Sequence, residues 1–355
     1  MSRERDLNHA VLSREEDSVD VSGIDLCVGL PQPTPVVMTS RRTRVFVAGH
    51  RGLVGSAILR RIALDTSVEL LTATHDQLDL RDQSAVNYWF RSMRPEQVYL
   101  VAGTVGGILA NSTRPAEFIY DNLLIHATVV HAAHVYGAKK LLYLGNSCIY
   151  PRDAAQPMRE EQLLTGRLEP TNEPHALAKI AGIKLCQAYR TQYGCDFISA
   201  IPTNLYGPYD NFDLTISHVL PALIRKFHDA KTSGQRQVTA WGTGSPMREF
   251  LHVDDLADAC VFLMARYSEH LHVNVGTGVD LSIRELTKMV KGIVYPAAEI
   301  VWDVTKPDGT PRKLLDVSRL HSLGWKHRID LRSGIEATYE WFIEQGLPVS
   351  SIART

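Results

Sequence analysis

The chain has few cysteines, no excess of charge of either sign and no long apolar run. Its five cysteines (Cys27, Cys148, Cys186, Cys195, Cys260) are odd in number, scattered and without a Cys-x-x-Cys pair. That argues against a disulfide framework or a zinc site and favours a reducing cytoplasm. Lysine and arginine (38) nearly balance aspartate and glutamate (39), so nucleic acid is not expected as the main partner. No segment approaches the roughly 18 consecutive apolar residues of a membrane span, and there is no internal repeat. What remains is an ordinary globular composition, 45% hydrophobic over 355 residues, enough for two domains or one large one.

Residues 1–41 stand apart, mixing Glu15, Glu16, Asp17 and Asp20 with an "LPQPTP" stretch. They lack the apolar core of a signal peptide and the acid-poor character of a transit peptide, and read as a disordered extension. From Arg44 onward, short β-branched runs alternate with helical stretches, which predicts a parallel α/β sheet. Strands are expected at 44–49, 68–72, 97–103, 140–147 and 196–204, with helices at 49–64 (after a glycine turn), 81–93, 114–137 and from Glu173. The predicted fold is a Rossmann-type doubly wound parallel sheet over 42–207. A smaller substrate lobe over 208–355, with some segments returning to the first domain, contains helices at 217–230, 254–267, 282–293 and 334–346 and a strand at 272–276.

Gly49-His50-Arg51-Gly52-Leu53-Val54-Gly55 follows a predicted strand and opens a helix. Glycines there allow a tight turn, close approach of a pyrophosphate to backbone N–H groups, and helix–strand packing. An acid at the end of the second strand would favour a free ribose hydroxyl, yet "LLTATHD" offers Thr72, Ala73, Thr74 and His75 before Asp76. Arg51 is placed to pair with a 2′-phosphate, so NADP(H) is the expected cofactor. The bland reading of Arg51 is a solvated loop charge.

"EPHALAKIAGIKL" sets His175 four residues ahead of Lys179 on one face of a predicted helix, with Pro174 in its first turn. Alone, the pair favours the bland reading of a surface pair near a helix start.

The glycine turn, "VGGILAN" (105–111), "SCIYP" (147–151), "LEPTNEP" (168–174), "AKIAGIKL" (178–185), "PTNLYGP" (202–208), "SHVLPALI" (217–224), "PMREFLHVDD" (246–255), "NVGTGVD" (274–280) and "KPDGTPRKLLDV" (306–317) together resemble the GDP-L-fucose synthases. These are extended short-chain dehydrogenase/reductases that epimerise C3 and C5 of GDP-4-keto-6-deoxymannose and reduce C4. The C4 ketone acidifies hydrogens on C3 and C5, so an acid and a base can invert both centres through an enolate before reduction. The resemblance implies Cys148 and His218 for the epimerisations, and Lys179 with residues 146, 147 and 175 for the reduction. It places the cofactor on Gly49 to Gly55, His75, Leu144, Gly145, Asn146, Ser147, Lys179, Pro202, Thr203, Asn204, Leu205 and His218. The GDP-sugar falls on Lys226, Trp241, Arg248 and Asp308, and a homodimer is implied through the helices at 115–135 and 175–194. Trp241 reads equally as a packing residue, and Asp308 almost equally as a turn former.

Two departures touch the chemistry. The family's Tyr-x-x-x-Lys is His175-x-x-x-Lys179, and its Ser-Ser-Cys is Asn146-Ser147-Cys148. Thr104 also stands where lysine is common. Three readings follow: an epimerase-reductase with slow turnover, an epimerase that has lost the reduction, or a non-catalytic paralogue that keeps its nucleotide sites.

Overall fold

The computed structural model describes residues 41–306 and 308–346. Apart from Arg41, the extension expected over 1–41 lies outside the described residues.

The first half runs β1 (Thr43–Ala48), α1 (Leu53–Ile62), β2 (Val68–Leu71), α2 (Gln83–Met93), β3 (Gln97–Leu100), α3 (Ile108–Thr113), α4 (Pro115–Val135), β4 (Lys140–Leu144), α5 (Glu173–Tyr193) and β5 (Asp196–Pro202). The second half continues with β6 (Asn204–Tyr206), α6 (Val219–Ser233), β7 (Gln237–Trp241), β8 (Met247–His252), α7 (Val253–Arg266), β9 (Val273–Val275), β10 (Asp280–Ser282), α8 (Ile283–Val294), β11 (Glu299–Asp303), β12 (Arg312–Lys313), α9 (Ser318–Ser322) and α10 (Leu331–Glu344).

Six strands form one sheet in the order β2-β1-β3-β4-β5-β9, and every pairing in it is parallel. Because both faces are covered, the strand centres run apolar on both sides, as in Val45–Ala48 and Leu141–Leu144, rather than alternating. In β1, Val45 and Val47 meet α1 and α7 through Ile58, Leu256 and Cys260. Phe46 and Ala48 point the other way, toward Phe90 of α2, Val129 of α4 and Ile183 of α5. The strand order reverses between β1 and β3, which opens the crevice where doubly wound sheets bind ligands.

A separate core joins Phe227 of α6, Phe250 of β8, Leu286 of α8 and Ile335 and Phe342 of α10. Around it lie a sheet in the order β10-β8-β12, with β6 also on β8, and a parallel β11-β7 pair.

Several expectations are corrected. The run 196–204 is two strands, since β6 leaves the main sheet to pair with β8. The segments at 254–267 and 272–276, expected in the lobe, belong to the main domain: α7 packs on α1 and β9 extends the sheet beside β5. Helix α3 was not foreseen. The helix expected from 217 begins at Val219, leaving His218 as its N-cap residue.

Candidate active site

The glycine turn shows why each glycine stands where it does. Gly49 has φ +91°, and a Cβ on it would lie 2.7 Å from the backbone of Ala102. A Cβ on Gly55 would fall 2.1 Å from the Gly49 carbonyl oxygen. Gly52 differs: its Cβ would meet nothing closer than 3.6 Å, so the space above it is open. It caps α1, whose first turn carries no acid. This is a cradle for a diphosphate, with free N–H groups and the positive end of the helix facing it. Arg51 and His75 are exposed beside it, and a backbone contact at Ala73 joins His50 to the end of β2. The donor set thus fits an NADP cofactor.

The chemical residues gather at the carboxyl ends of β4 and β5 and the start of α5. His175 and Lys179 are each 5% exposed, which excludes a surface pair. Asn146 follows β4 and precedes the 3-10 turn Ser147–Ile149. Its Nδ2 lies 2.8 Å from His175 Nε2, and its Oδ1 accepts a hydrogen bond from Cys148 Sγ at 2.6 Å. Lys179 Nζ donates to the Leu144 carbonyl at 3.0 Å and lies 5.4 Å from the Tyr143 ring centroid. Gly145 donates its N–H to Ala200 O at 2.9 Å, and a Cβ there would strike Ile201 at 2.4 Å. Close packing of β4 on β5 therefore fixes the height of Asn146.

His218 comes to the site from the other side. Gly107 N–H donates to Ile216 O at 3.1 Å, tying the loop after β3 to the entry of α6. His218 is near enough to His175 for its charge to lower the latter's pKa. Ser147 is buried in the 3-10 turn behind Asn146.

Burial dominates the electrostatics. It pushes the His175 imidazolium down to about 3, with the Lys179 ammonium adding to the effect, so the ring is neutral at physiological pH. Lys179 is brought down to about 8 by burial. Burial raises the Cys148 thiol, while Lys313 and Lys179 pull it back. His218 is lowered by its protein surroundings and then by Lys313.

The other residues expected at the cofactor line the same edge. Thr203 N–H donates to Val275 O at 3.0 Å, Asn204 Nδ2 donates to Glu249 O at 2.8 Å, and Pro202 is buried next to them while Leu205 is partly so. Toward the lobe, Lys226 Nζ sits 4.8 Å from the Trp241 ring centroid and donates to Thr239 O at 3.0 Å. Trp241 is 52% exposed, with Lys226 and Lys306 both over its ring. Arg248 is lowered by burial, while both oxygens of Asp308 accept from Thr243, at 2.8 Å each. Asp308 therefore ties its loop to the one at Thr243 across 65 positions of chain, a long-range brace rather than a local turn.

Sequence reasoning missed three residues. Lys313, on β12 opposite Arg248, is lowered by burial and borders Cys148 in a small pocket with Ser147, Arg152 and Glu169. Glu249 is fully buried and its carboxylate accepts from the N–H groups of Thr277 (2.6 Å), Gly278 (2.7 Å) and Leu315 (3.1 Å). Asn122 accepts from Thr104 N–H at 3.1 Å and lies 3.5 Å from His175 Nδ1. An asparagine in the apolar middle of a helix was the available signal for it.

A glycine cradle at the switch point, beside a buried histidine–lysine pair and a cysteine, defines a nucleotide-dependent oxidoreductase or epimerase of the extended Rossmann type. A family model described as the NAD dependent epimerase/dehydratase family matches residues 45–276, and the chain belongs to that family. Within it the chain falls among the GDP-L-fucose synthases. GDP-L-fucose synthase 1 of Arabidopsis thaliana is 57% identical over 307 residues, spanning 86% of this chain and 95% of the relative. GDP-L-fucose synthase of Escherichia coli strain K12 is 55% identical over 312 residues, spanning 85% and 97%. Among solved structures, a GDP-L-fucose synthetase from Naegleria fowleri bound to NADP superposes with a TM-score of 0.79 at 26% identity, covering 86% of this chain and 95% of that one. A GDP-6-OMe-4-keto-L-xylo-heptose reductase from C. jejuni gives 0.81 at 38% identity, covering 86% and 98%.

Proposed function

We propose that the chain converts GDP-4-keto-6-deoxy-D-mannose to GDP-L-fucose, with epimerisation at C3 and C5 and NADPH-dependent reduction at C4. The observation that carries this reading is the convergence of Cys148, Asn146, His175 and Lys179 beside the glycine cradle, with His218 entering opposite. Cys148 and His218 exchange protons with C3 and C5 on either side of the enolate. His175 and Asn146 hold the C4 oxygen, first as enolate and then as alkoxide, by N–H donation. NADPH supplies the hydride. Lys179, buried yet still mostly charged near neutral pH, orients the nicotinamide ribose and places positive potential near the developing alkoxide. Lys226, Trp241 and Arg248 receive the GDP moiety, in a lobe we assign to 208–355 apart from α7 and β9.

The neutral His175 ring makes reduction the slow half. Its N–H is a far weaker acid than a phenol, whereas stabilising an enolate needs only hydrogen bonds. Hydrogen exchange should therefore outrun NADPH oxidation. Incubation with GDP-4-keto-6-deoxy-D-mannose in D₂O tests this. Deuterium is expected at C3 and C5 without NADPH, and slower cofactor oxidation when it is added. Exchange with no oxidation at all would leave an epimerase, and neither process would refute the proposal.

Two finer readings accompany it. The α4 and α5 faces expose Tyr120, Leu123, Leu177 and Tyr193, apolar surface that a second copy would cover in a homodimer. No helix among the described residues is long and apolar enough to cross a membrane, and Cys148, Cys186, Cys195 and Cys260 are free thiols, which suits a reducing cytoplasm.

A further inference from the structure

Asn146 stands where the family has serine, and its carboxamide touches two chemical groups at once. We infer that Asn146, besides its place at the C4 oxygen, couples the proton on Cys148 to the tautomer of His175; the inference rests on the site assignment made above. A carboxamide has an acceptor end and a donor end. With the thiol protonated, Oδ1 accepts S–H at 2.6 Å and Nδ2 faces His175 Nε2 at 2.8 Å. Nε2 must then offer a lone pair, and the neutral ring keeps its proton on Nδ1.

A thiolate reverses the arrangement. It repels Oδ1 and attracts N–H, so the carboxamide turns end for end about Cβ–Cγ. Oδ1 then faces Nε2, which must carry the ring's proton. The pair loses one proton in total, from sulfur, while the ring's own proton moves from Nδ1 to Nε2 by exchange with water.

The opposite side of the ring favours the second state. Asn122 cannot turn: its Oδ1 accepts from Thr104 N–H at 3.1 Å, and its Nδ2 donates to Phe118 O at 2.7 Å and Thr104 O at 2.9 Å. That nitrogen is the atom 3.5 Å from His175 Nδ1, so a proton on Nδ1 finds no acceptor there. Asn122 thus biases the ring toward Nε2–H and, through Asn146, biases Cys148 toward thiolate. Lys179 and Lys313 face the thiol and act the same way. Lys179, His218 and His126 face the ring. The consequence is functional: the state in which Cys148 is a base is also the state in which the His175 proton sits on Nε2, the ring nitrogen beside Asn146, where the C4 oxygen takes it over from Asn146 Oδ1.

The test needs no turnover, so it stands apart from failure of the proposed activity. In full-length protein labelled with ¹⁵N-histidine, the His175 tautomer is followed by NMR against pH, its signal identified with His175→Gln. Iodoacetamide modification of Cys148 is followed in parallel by peptide mass spectrometry. The expected result is one shared midpoint. In Asn146→Ala the thiol midpoint should rise by about one unit, tenfold in thiolate population, and the His175 signal should stop tracking it. Cys148→Ser, which keeps the bridge in place, should hold His175 as Nδ1–H at every pH above its own protonation. A His175 tautomer that ignores both the thiol midpoint and Cys148→Ser would overturn the inference.

Discussion

Restoring a tyrosine at position 175 should fail unless Asn146 is changed with it. A phenol is longer than an imidazole by more than a bond length, and only 2.8 Å separates His175 Nε2 from Asn146 Nδ2. The other walls do not yield: the Phe118 ring lies edge-on with its centroid 5.8 Å away, and Asn122 is anchored on both ends. In His175→Tyr the hydroxyl therefore collides with the carboxamide, and Cys148 loses its hydrogen-bond partner as Asn146 is pushed aside. Misplacement by about 1 Å costs on the order of a hundredfold, which would cancel the gain in acidity. Shortening the blocking residue in His175→Tyr/Asn146→Ser removes the collision and supplies a hydroxyl donor to the same oxygen. The expected gain is about a hundredfold in kcat for C4 reduction, roughly 2.7 kcal/mol in the barrier, with less than a tenfold change in either single variant. NADPH oxidation at saturating sugar measures it. A single His175→Tyr variant as fast as the double would refute the steric argument, and a double variant no faster than the wild type would remove residues 146 and 175 from the C4 site.

Three further outcomes follow from particular contacts. Gly52→Ala should leave the melting temperature unchanged but weaken NADPH binding at least tenfold, because its Cβ meets nothing within 3.6 Å of the protein; Gly55→Ala, whose Cβ would lie 2.1 Å from Gly49 O, should cost about 1–3 kcal/mol in stability, and calorimetry with and without NADPH separates the two. Lys179, brought down by burial to about 8 from 10.5, binds its proton less tightly folded than unfolded, so stability should rise with pH between about 8 and 10.5; Lys179→Met should abolish that rise, and reduction in the wild type should decline as pH passes about 8. Glu249→Gln should lower stability by about 1–3 kcal/mol, because an amide NH₂ replaces one of the oxygens accepting from Thr277, Gly278 and Leu315, and urea denaturation measures it.

The main sheet was legible because its signals are local. β-branched runs, the glycine turn and Pro174 ahead of an apolar stripe each depend on a few neighbours, and five of the six parallel strands follow from their alternation with helices. The lobe was less legible. Its strands β10 and β12, like β6 and β9 at its border with the main sheet, are two or three residues long, too short for periodicity to register, and only pairing with distant segments defines them. Helix α7 was misplaced because its apolar stripe says that it is buried without saying against what.

The site divides in the same way. Gly49, Gly55, Cys148 and Lys179 could be placed from motifs, since each occupies a fixed offset from a strand end. The contact of Asn146 with both Cys148 and His175 could not, because it depends on the height at which β4 packs against α5. Lys313 lies far along the chain and reaches Cys148 only because β12 pairs with β8. His175 was placed by its spacing to Lys179, but its basicity was not: desolvation, which no spacing reports, is the larger cause of its low pKa.

The central claim is that one pocket inverts two centres and reduces a third. Its most direct measurement is NMR of the sugar formed from GDP-4-keto-6-deoxy-D-mannose and unlabelled NADPH in D₂O. The predicted product is GDP-L-fucose bearing deuterium at C3 and C5 and protium at C4. A product with protium at C3 and C5, or unchanged substrate after NADPH binding has been demonstrated, would contradict the account.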